Sequence, residues 1–143
     1  RLLDLLEMDL IDLHSLQFGD DRAQLDPFRS HERITDWSDT INDFADTAHV
    51  IRQLDLVITV DTAVAHLAGA LNRPTWLLLP RNCDFRWLLD RSDSPWYPRC
   101  LRLFRQPSHG DWDTVMEAMH TAIDDLFLLD FAALKAGRMA RRN

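Results

Sequence analysis

From Leu10 to Leu16 the chain alternates apolar and polar residues (LIDLHSL), then stops at Gln17-Phe18-Gly19. A period of two closed by turn residues predicts a strand with one buried face. Ahead of it, Leu2, Leu3, Leu5 and Leu6 with acids between them predict a helix already under way at Arg1, so the chain reads as a piece of something longer. A second short strand is expected at Ile34 to Trp37. Phe44, Ala48, Ile51 and Leu54 then recur at helical spacing, with Asp43 or Asp46 available as the cap and an end expected near Asp55.

Leu56 to Val60 (LVITV) is a continuous, largely β-branched run, too short for a helix and without alternation, as a strand covered on both faces would be. Asp61 and Thr62 are helix-capping types, and AVAHLAGAL after them favours helix until Asn72, Arg73 and Pro74 stop it. Thr75 to Leu79 (TWLLL) is a second buried strand, closed by Pro80. Strand, short helix and strand make a βαβ unit, whose crossover is right-handed and whose strands are parallel. Arg81 to Pro98 lacks a period and is expected to be an ordered loop with at most one helical turn, before a last strand at Leu101 to Phe104. Beyond Gly110, Asp111 or Asp113 can cap a helix with Val115, Met119, Ile123 and Leu126 or Phe127 on its apolar face, and a further helical segment is expected from Phe131 to Met139. The alternation of strands and helices predicts an α/β fold, a Rossmann-like parallel sheet with flanking helices.

Composition narrows the class. With 143 residues the chain is one domain's worth, 1–143, and with 46% hydrophobic residues and only 4 glycines and 6 prolines it is neither disordered nor of low complexity. No apolar run reaches the roughly 18 to 20 residues of a membrane span, and the acid-bearing start is unlike a signal peptide. Two cysteines without zinc-site spacing point to a reducing compartment, so a cytoplasmic location is expected. The net charge of −7 argues against a nucleic-acid partner. Its distribution is uneven: a basic tail begins at about residue 135, and seven arginines (73, 81, 86, 91, 99, 102, 105) face three aspartates (84, 90, 93) between Arg73 and Arg105. These arginines either meet an anionic ligand or pair with acids of the protein itself.

In open parallel sheets ligands bind beyond the carboxyl ends of the strands, which directs attention to the loops after Leu16, Val60 and Leu79. At Val60-Asp61-Thr62-Ala63 a strand runs straight into a helix, whose first free N–H groups and positive dipole end favour a phosphate. Ala63 is small enough for close approach, His66 lies one turn after Thr62, and Asp61 can accept hydrogen bonds from a sugar. The alternative is an ordinary capped helix start and a core histidine. After Leu79, Asn82, Asp84 and Arg86 follow a strand end, as Gln17 follows the first. Phe85, Trp87, Trp96, Tyr97 and Phe104 either line a base or sugar pocket or pack the loop down, and packing is favoured for Trp96 and Tyr97. No GxGxxG, P-loop, catalytic triad or metal-ligand spacing is present, so no cofactor and no metal is expected.

The run Leu54 to Leu71 (LDLVITVDTAVAHLAGAL), followed by Pro74 and an apolar strand, resembles the donor-binding segment of the glycosyltransferase family 9 (heptosyltransferase) superfamily. The later WLLDRSDSPWYP, LRLFRQ and GDW are similar to bacterial proteins that join tetratricopeptide repeats to such a domain, and the likeness covers most of residues 10–127. The resemblance implies the C-terminal half of a GT-B fold, which binds a nucleoside diphosphate sugar for transfer to a sugar, lipid or protein acceptor. It implies that Asp61 contacts the donor sugar, that the Thr62 and Ala63 N–H groups cradle the pyrophosphate, and that His66 assists at the phosphates without a metal. The family usually has Gly or Ser where this chain has Ala63. The opening strand of the half is missing before Arg1, and the N-terminal half, expected to supply the acceptor site and the catalytic base, lies outside the chain. The fragment alone is therefore expected to be inactive, and the alternative reading is a noncatalytic nucleotide- or protein-binding domain of the same fold.

Overall fold

The structure is a computed structural model and describes residues 5–6, 11–17 and 19–140. Among these described residues, five strands and three α-helices follow in the order β1 (Leu13–Ser15), β2 (Ile34–Asp36), α1 (Phe44–Ile51), β3 (Val57–Val60), α2 (Ala63–Ala70), β4 (Thr75–Leu79), β5 (Leu101–Arg105) and α3 (Trp112–Ala140). All strand pairs within the sheets are parallel. The expected α/β class and Rossmann-like layering are present, with β4 buried along its whole length between its neighbours β3 and β5.

The sheet comes in two pieces, β1–β2 and β3–β4–β5. The pieces nevertheless share their layers. Leu13 of β1 packs into the cluster of Trp76, Leu78, Phe104, Val115 and Met119 on the α3 side. Leu16, just past β1, packs with Ile51, Val57 and Ala68 on the α1 and α2 side. Side chains of opposite parity reaching opposite layers is how a strand lying in the plane of the larger sheet behaves, although among the described residues no ladder joins the two. A third cluster, around Leu77, Leu79, Trp87, Leu101 and Leu103, binds the loop after β4 to the β4–β5 face.

Local chemistry sets the element ends. Asp43, rather than Asp46, caps α1, its carboxylate accepting from Ala45 N at 2.7 Å and Asp46 N at 2.9 Å. Asp46 instead accepts from Asn42 N, and these Asn42 bonds hold its carboxyl below the usual range. The helix ends at Ile51, short of Asp55, because Gln53 N and Leu54 N tighten onto Val50 and Ile51 carbonyls. Helix α2 stops as expected: Asn72 takes φ 53°, Asn72 N bonds Gly69 O and Arg73 N bonds Ala68 O, closing a Schellman motif before Pro74. Asp111 caps α3 through Thr114 N at 3.1 Å.

Three expectations need correction. The strand drawn from Leu10 is only Leu13–Ser15 within the described residues, and of the helix expected at Leu2 to Leu6 only the buried Leu5 and Leu6 are described. The two expected C-terminal helices are one continuous helix, since nothing between Phe127 and Phe131 breaks the backbone ladder. The 3-10 helix Gly19–Phe28 was not anticipated, because GDDRAQLDPF has no apolar period. Tertiary contacts hold it: Leu25 is buried, and Arg22 reaches Asp36 at 3.2 Å and Asp39 at 2.6 Å.

Candidate functional site

Strand β3 ends at Val60, which is 49% exposed, and Asp61, Thr62 and Ala63 at the junction with α2 are all exposed. Thr62 holds the N-cap position with extended backbone (φ −139°, ψ 172°), yet its side chain makes no capping bond. Its hydroxyl lies 3.3 Å from that of Thr59 instead. Ala65 N reaches back to Thr62 O, while Ala63 N and Val64 N have no partner among the described residues. Helix α1 in the same chain has its first amides taken by Asp43. The alternative of an ordinary side-chain cap is therefore not what the structure shows, although Thr62 occupies the N-cap position, and the start of α2 presents free donors at the positive end of its dipole.

One turn on, His66 is half-buried. Its ring stacks on Trp87 (centroids 5.3 Å apart, planes at 25°), meets Tyr97 edge-on at 5.9 Å, and places Nδ1 3.1 Å from the Tyr97 hydroxyl. His66 is thus neither a fully buried core histidine nor a free surface one. Its other ring nitrogen has no protein hydrogen bond among the described residues.

The loop after β4 is arranged differently from expectation. Asp84 caps a one-turn 3-10 helix, Phe85–Trp87, accepting from Arg86 N at 2.9 Å, and the Arg86 guanidinium returns to the same carboxylate at 3.0 Å. Asp84 and Arg86 therefore neutralise one another, with Arg86 lying over the Phe85 ring at 5.4 Å. Asn82 is exposed. Gln17 is exposed as well, its N–H donating to Ser15 Oγ. Among the described residues no hydrogen bond or ion pair links either to the α2 start.

Of the aromatics, Trp87 is fully buried and Phe104 belongs to the α3-side core, so neither lines an open pocket. Tyr97 packs as expected. Trp96 does not: it is 61% exposed, and its indole N–H ties the two ends of the loop by donating to Arg86 O at 3.0 Å.

The arginines divide. Arg91 pairs with Asp93 at 2.6 Å, Arg102 lies over the Phe104 and Trp76 rings, Arg73 donates to Leu54 O, and Arg105 donates to Cys83 Sγ and to the carbonyls of Trp87 and Leu88. Arg81, exposed directly after β4, has no ion pair among the described residues, and its N–H is held by Gln106 Oε1 at 3.2 Å. The contact of Tyr97 with His66 is the feature of this region that the sequence does not foretell, since it favours only packing for Tyr97. For Tyr97 a cue existed in Gly69: a glycine inside a short helix costs about 0.5–1 kcal/mol and so asks for a packing reason. The reason is close approach, since a Cβ at Gly69 would lie 2.5 Å from Tyr97 Cγ.

Among the described residues no group of three or more His, Cys, Asp or Glu side chains is arranged to hold a metal ion, and no helix is long and apolar enough to cross a membrane. Residues 42–78, spanning α1 through most of β4, match the profile of glycosyltransferase family 9 (heptosyltransferase), which supports that family for this segment. Among curated proteins the chain is similar to Protein FlbA of Caulobacter vibrioides, 30% identical over 115 residues. That alignment covers 78% of this chain and 19% of FlbA, so the chain spans about a fifth of that relative's length. No solved structure matches it.

Proposed function

We propose that this chain is the C-terminal, donor-binding portion of a GT-B glycosyltransferase that moves a sugar from a nucleoside diphosphate sugar to a sugar, lipid or protein acceptor. The observation that carries the reading is the start of α2: unpartnered amides at the carboxyl end of a parallel strand, inside the segment matched to the glycosyltransferase family. In this reading the departing diphosphate gathers charge at those amides, which are held in place before the reaction and need no reorganisation to receive it. Ala63 lets the phosphates approach, His66 and the unpaired Arg81 add positive or donor groups, and Asp61 orients the sugar through its hydroxyls. Asn82 and Gln17 stand in the neighbouring strand-end loops, while Asp84 and Arg86 shape the loop after β4. The catalytic base belongs to an N-terminal half of the same polypeptide, with which this domain closes to exclude water. The setting is a cytoplasmic protein with tetratricopeptide repeats elsewhere in its chain, and the two free thiols suit a reducing compartment.

The test is titration of UDP, ADP, GDP and CDP and their sugars into the full-length protein, followed by transfer assays on Asp61→Ala, Asp61→Asn, Arg91→Ala and Arg99→Ala. Asp61→Ala is expected to reduce kcat/KM by about 5-fold to 100-fold, the effect of one lost polar contact of roughly 1–3 kcal/mol. The two arginine variants are expected to change it by less, since exposed pairs such as Arg91–Asp93 contribute about 0–1 kcal/mol. Normal transfer by a stable Asp61→Asn variant removes Asp61 from the site. Donor binding by the full-length protein without any transfer leaves the noncatalytic domain as the answer.

A further inference from the structure

Tyr97, a half-buried loop residue, is fixed from several sides. Ser94, fully buried, accepts from Trp96 N at 3.2 Å and Tyr97 N at 3.4 Å. On the other side of Tyr97, its carbonyl accepts from Cys100 N and Leu101 N as β5 begins. Upstream, Leu103 N donates to Ser92 O at 2.7 Å, and Asp93 forms an antiparallel bridge with Arg102. The loop is thus stitched to β5 on both sides of the tyrosine, whose ring lies over Gly69 of α2 at a separation that no side chain at 69 would permit. What this anchoring delivers is a hydroxyl 3.1 Å from His66 Nδ1, with Trp87 closing one face of the imidazole.

We infer that Tyr97 is a positioning residue for His66: its hydroxyl donates to Nδ1, fixes the Nε2–H tautomer, and so makes a neutral imidazole a hydrogen-bond donor toward a diphosphate held at the start of α2. The argument is one of complementary roles. A neutral imidazole has one donor nitrogen and one acceptor nitrogen, and the bond made by the first decides which role is left to the second. A tyrosine hydroxyl donating to Nδ1 occupies the acceptor lone pair, so the proton resides on Nε2, the nitrogen with no protein partner. An anion requires a donor, which this tautomer supplies without a change of protonation state. Rotation of the ring is blocked by Trp87 on one face and Tyr97 at the edge. The inference rests on the donor-site reading above, and it adds a residue that lies 31 positions from His66 in sequence.

The experiment uses the full-length protein and two readouts. Imidazole 15N NMR reports the tautomer of His66 in the free protein, and calorimetric titration with inorganic pyrophosphate and with UDP and ADP reports binding. Wild type is expected to show the Nε2–H form. Tyr97→Phe keeps the ring over Gly69 and removes only the hydroxyl. It is expected to give a mixture of tautomers and to weaken diphosphate binding by about threefold to tenfold, as one neutral hydrogen bond would. Gly69→Ala, which drives the Tyr97 ring away without touching the hydroxyl, is expected to reproduce both changes. In the His66→Ala background Tyr97→Phe is expected to have no further effect on binding. An unchanged tautomer and affinity in Tyr97→Phe, alongside weakened binding in His66→Ala, overturns the role of Tyr97 and leaves the donor site standing. Unchanged binding in His66→Ala removes His66 from the donor site and overturns both.

Discussion

Replacing Thr62 by aspartate should make the protein more stable and a poorer binder of diphosphate at the same time. The backbone at Thr62 (φ −139°, ψ 172°) is nearly that of Asp43 (φ −148°, ψ −177°), whose carboxylate caps α1 with bonds of 2.7 and 2.9 Å. An aspartate at 62 can therefore take the same rotamer and satisfy amides that now have no partner. A new cap contributes about 0.5–2 kcal/mol, and a carboxylate at the positive helix end about 0.3–1 kcal/mol more. Against this stand loss of the exposed Thr59–Thr62 hydroxyl contact and repulsion from the neighbouring Asp61. A net gain of about 1 kcal/mol is expected, which for a domain of this size raises Tm by roughly 2–4 °C. The same carboxylate occupies the place proposed for a phosphate. Two like charges about 4 Å apart repel by about 1 kcal/mol in water-like surroundings and about 4 kcal/mol near a protein surface. Because Thr62 is exposed the lower end applies, and pyrophosphate should bind at least about fivefold more weakly. Differential scanning calorimetry and isothermal titration on the full-length protein measure the two effects. Wild-type affinity in a stabilised Thr62→Asp variant would place the anion elsewhere, and no gain in Tm would mean that the α2 amides are already satisfied.

Leu88 sits at φ 53°, ψ −171°, a region that only glycine enters without strain, and its carbonyl is held there by Arg105 Nη2 at 2.8 Å. Leu88→Gly should therefore be more stable than Leu88→Ala by about 1–2 kcal/mol in urea unfolding, the reverse of the order at an ordinary position, and the usual order in these two variants would refute the strain. The Asp36 carboxyl is held below its ordinary value, first by the Ser38 hydroxyl and further by Ser38 N–H and Arg22, against a desolvation effect of opposite sign. A lowered folded-state value means that this carboxylate stabilises the fold fully above the ordinary carboxylate range and loses its contribution as pH falls through the lowered value. Asp36→Asn should accordingly flatten the dependence of unfolding free energy on pH below about pH 4, and an unaltered acid limb in this variant would dismiss the contribution.

Segment by segment, what could be read from the sequence is what local chemistry controls. TWLLL had to be a covered strand because a run that apolar and that short leaves no polar face for solvent, and β4 is buried throughout; LVITV is a strand as expected, β3, but not a covered central one, since it lies at the edge of the β3–β4–β5 order and is buried only at Val57. Asn72-Arg73-Pro74 had to end α2, since asparagine tolerates positive φ and proline cannot continue a helix. The strand-to-helix junction at Asp61 and Thr62 was visible for the same reason. Whether its amides were capped was not, because aspartate and threonine are equally able to cap or to turn outward, and only the observed rotamer distinguishes the two. The 3-10 segment Gly19–Phe28 was invisible because it has no period of its own and depends on Arg22 meeting Asp36 and Asp39. The division of the strands into β1–β2 and β3–β4–β5 was likewise hidden, since pairing belongs to two strands and neither sequence specifies it alone. Asp84 and Arg86 looked available to a ligand as residue types, and the turn between them closes them on each other. The contact of Tyr97 with His66 spans a loop without periodicity, and its position is set by Ser94, by the start of β5 and by the missing side chain at Gly69. Short-range chemistry thus determined most of the elements and the strand-to-helix junction. Long-range packing alone decided which side chains there remain free, because a hydrogen-bond partner many residues away leaves no trace in local pattern.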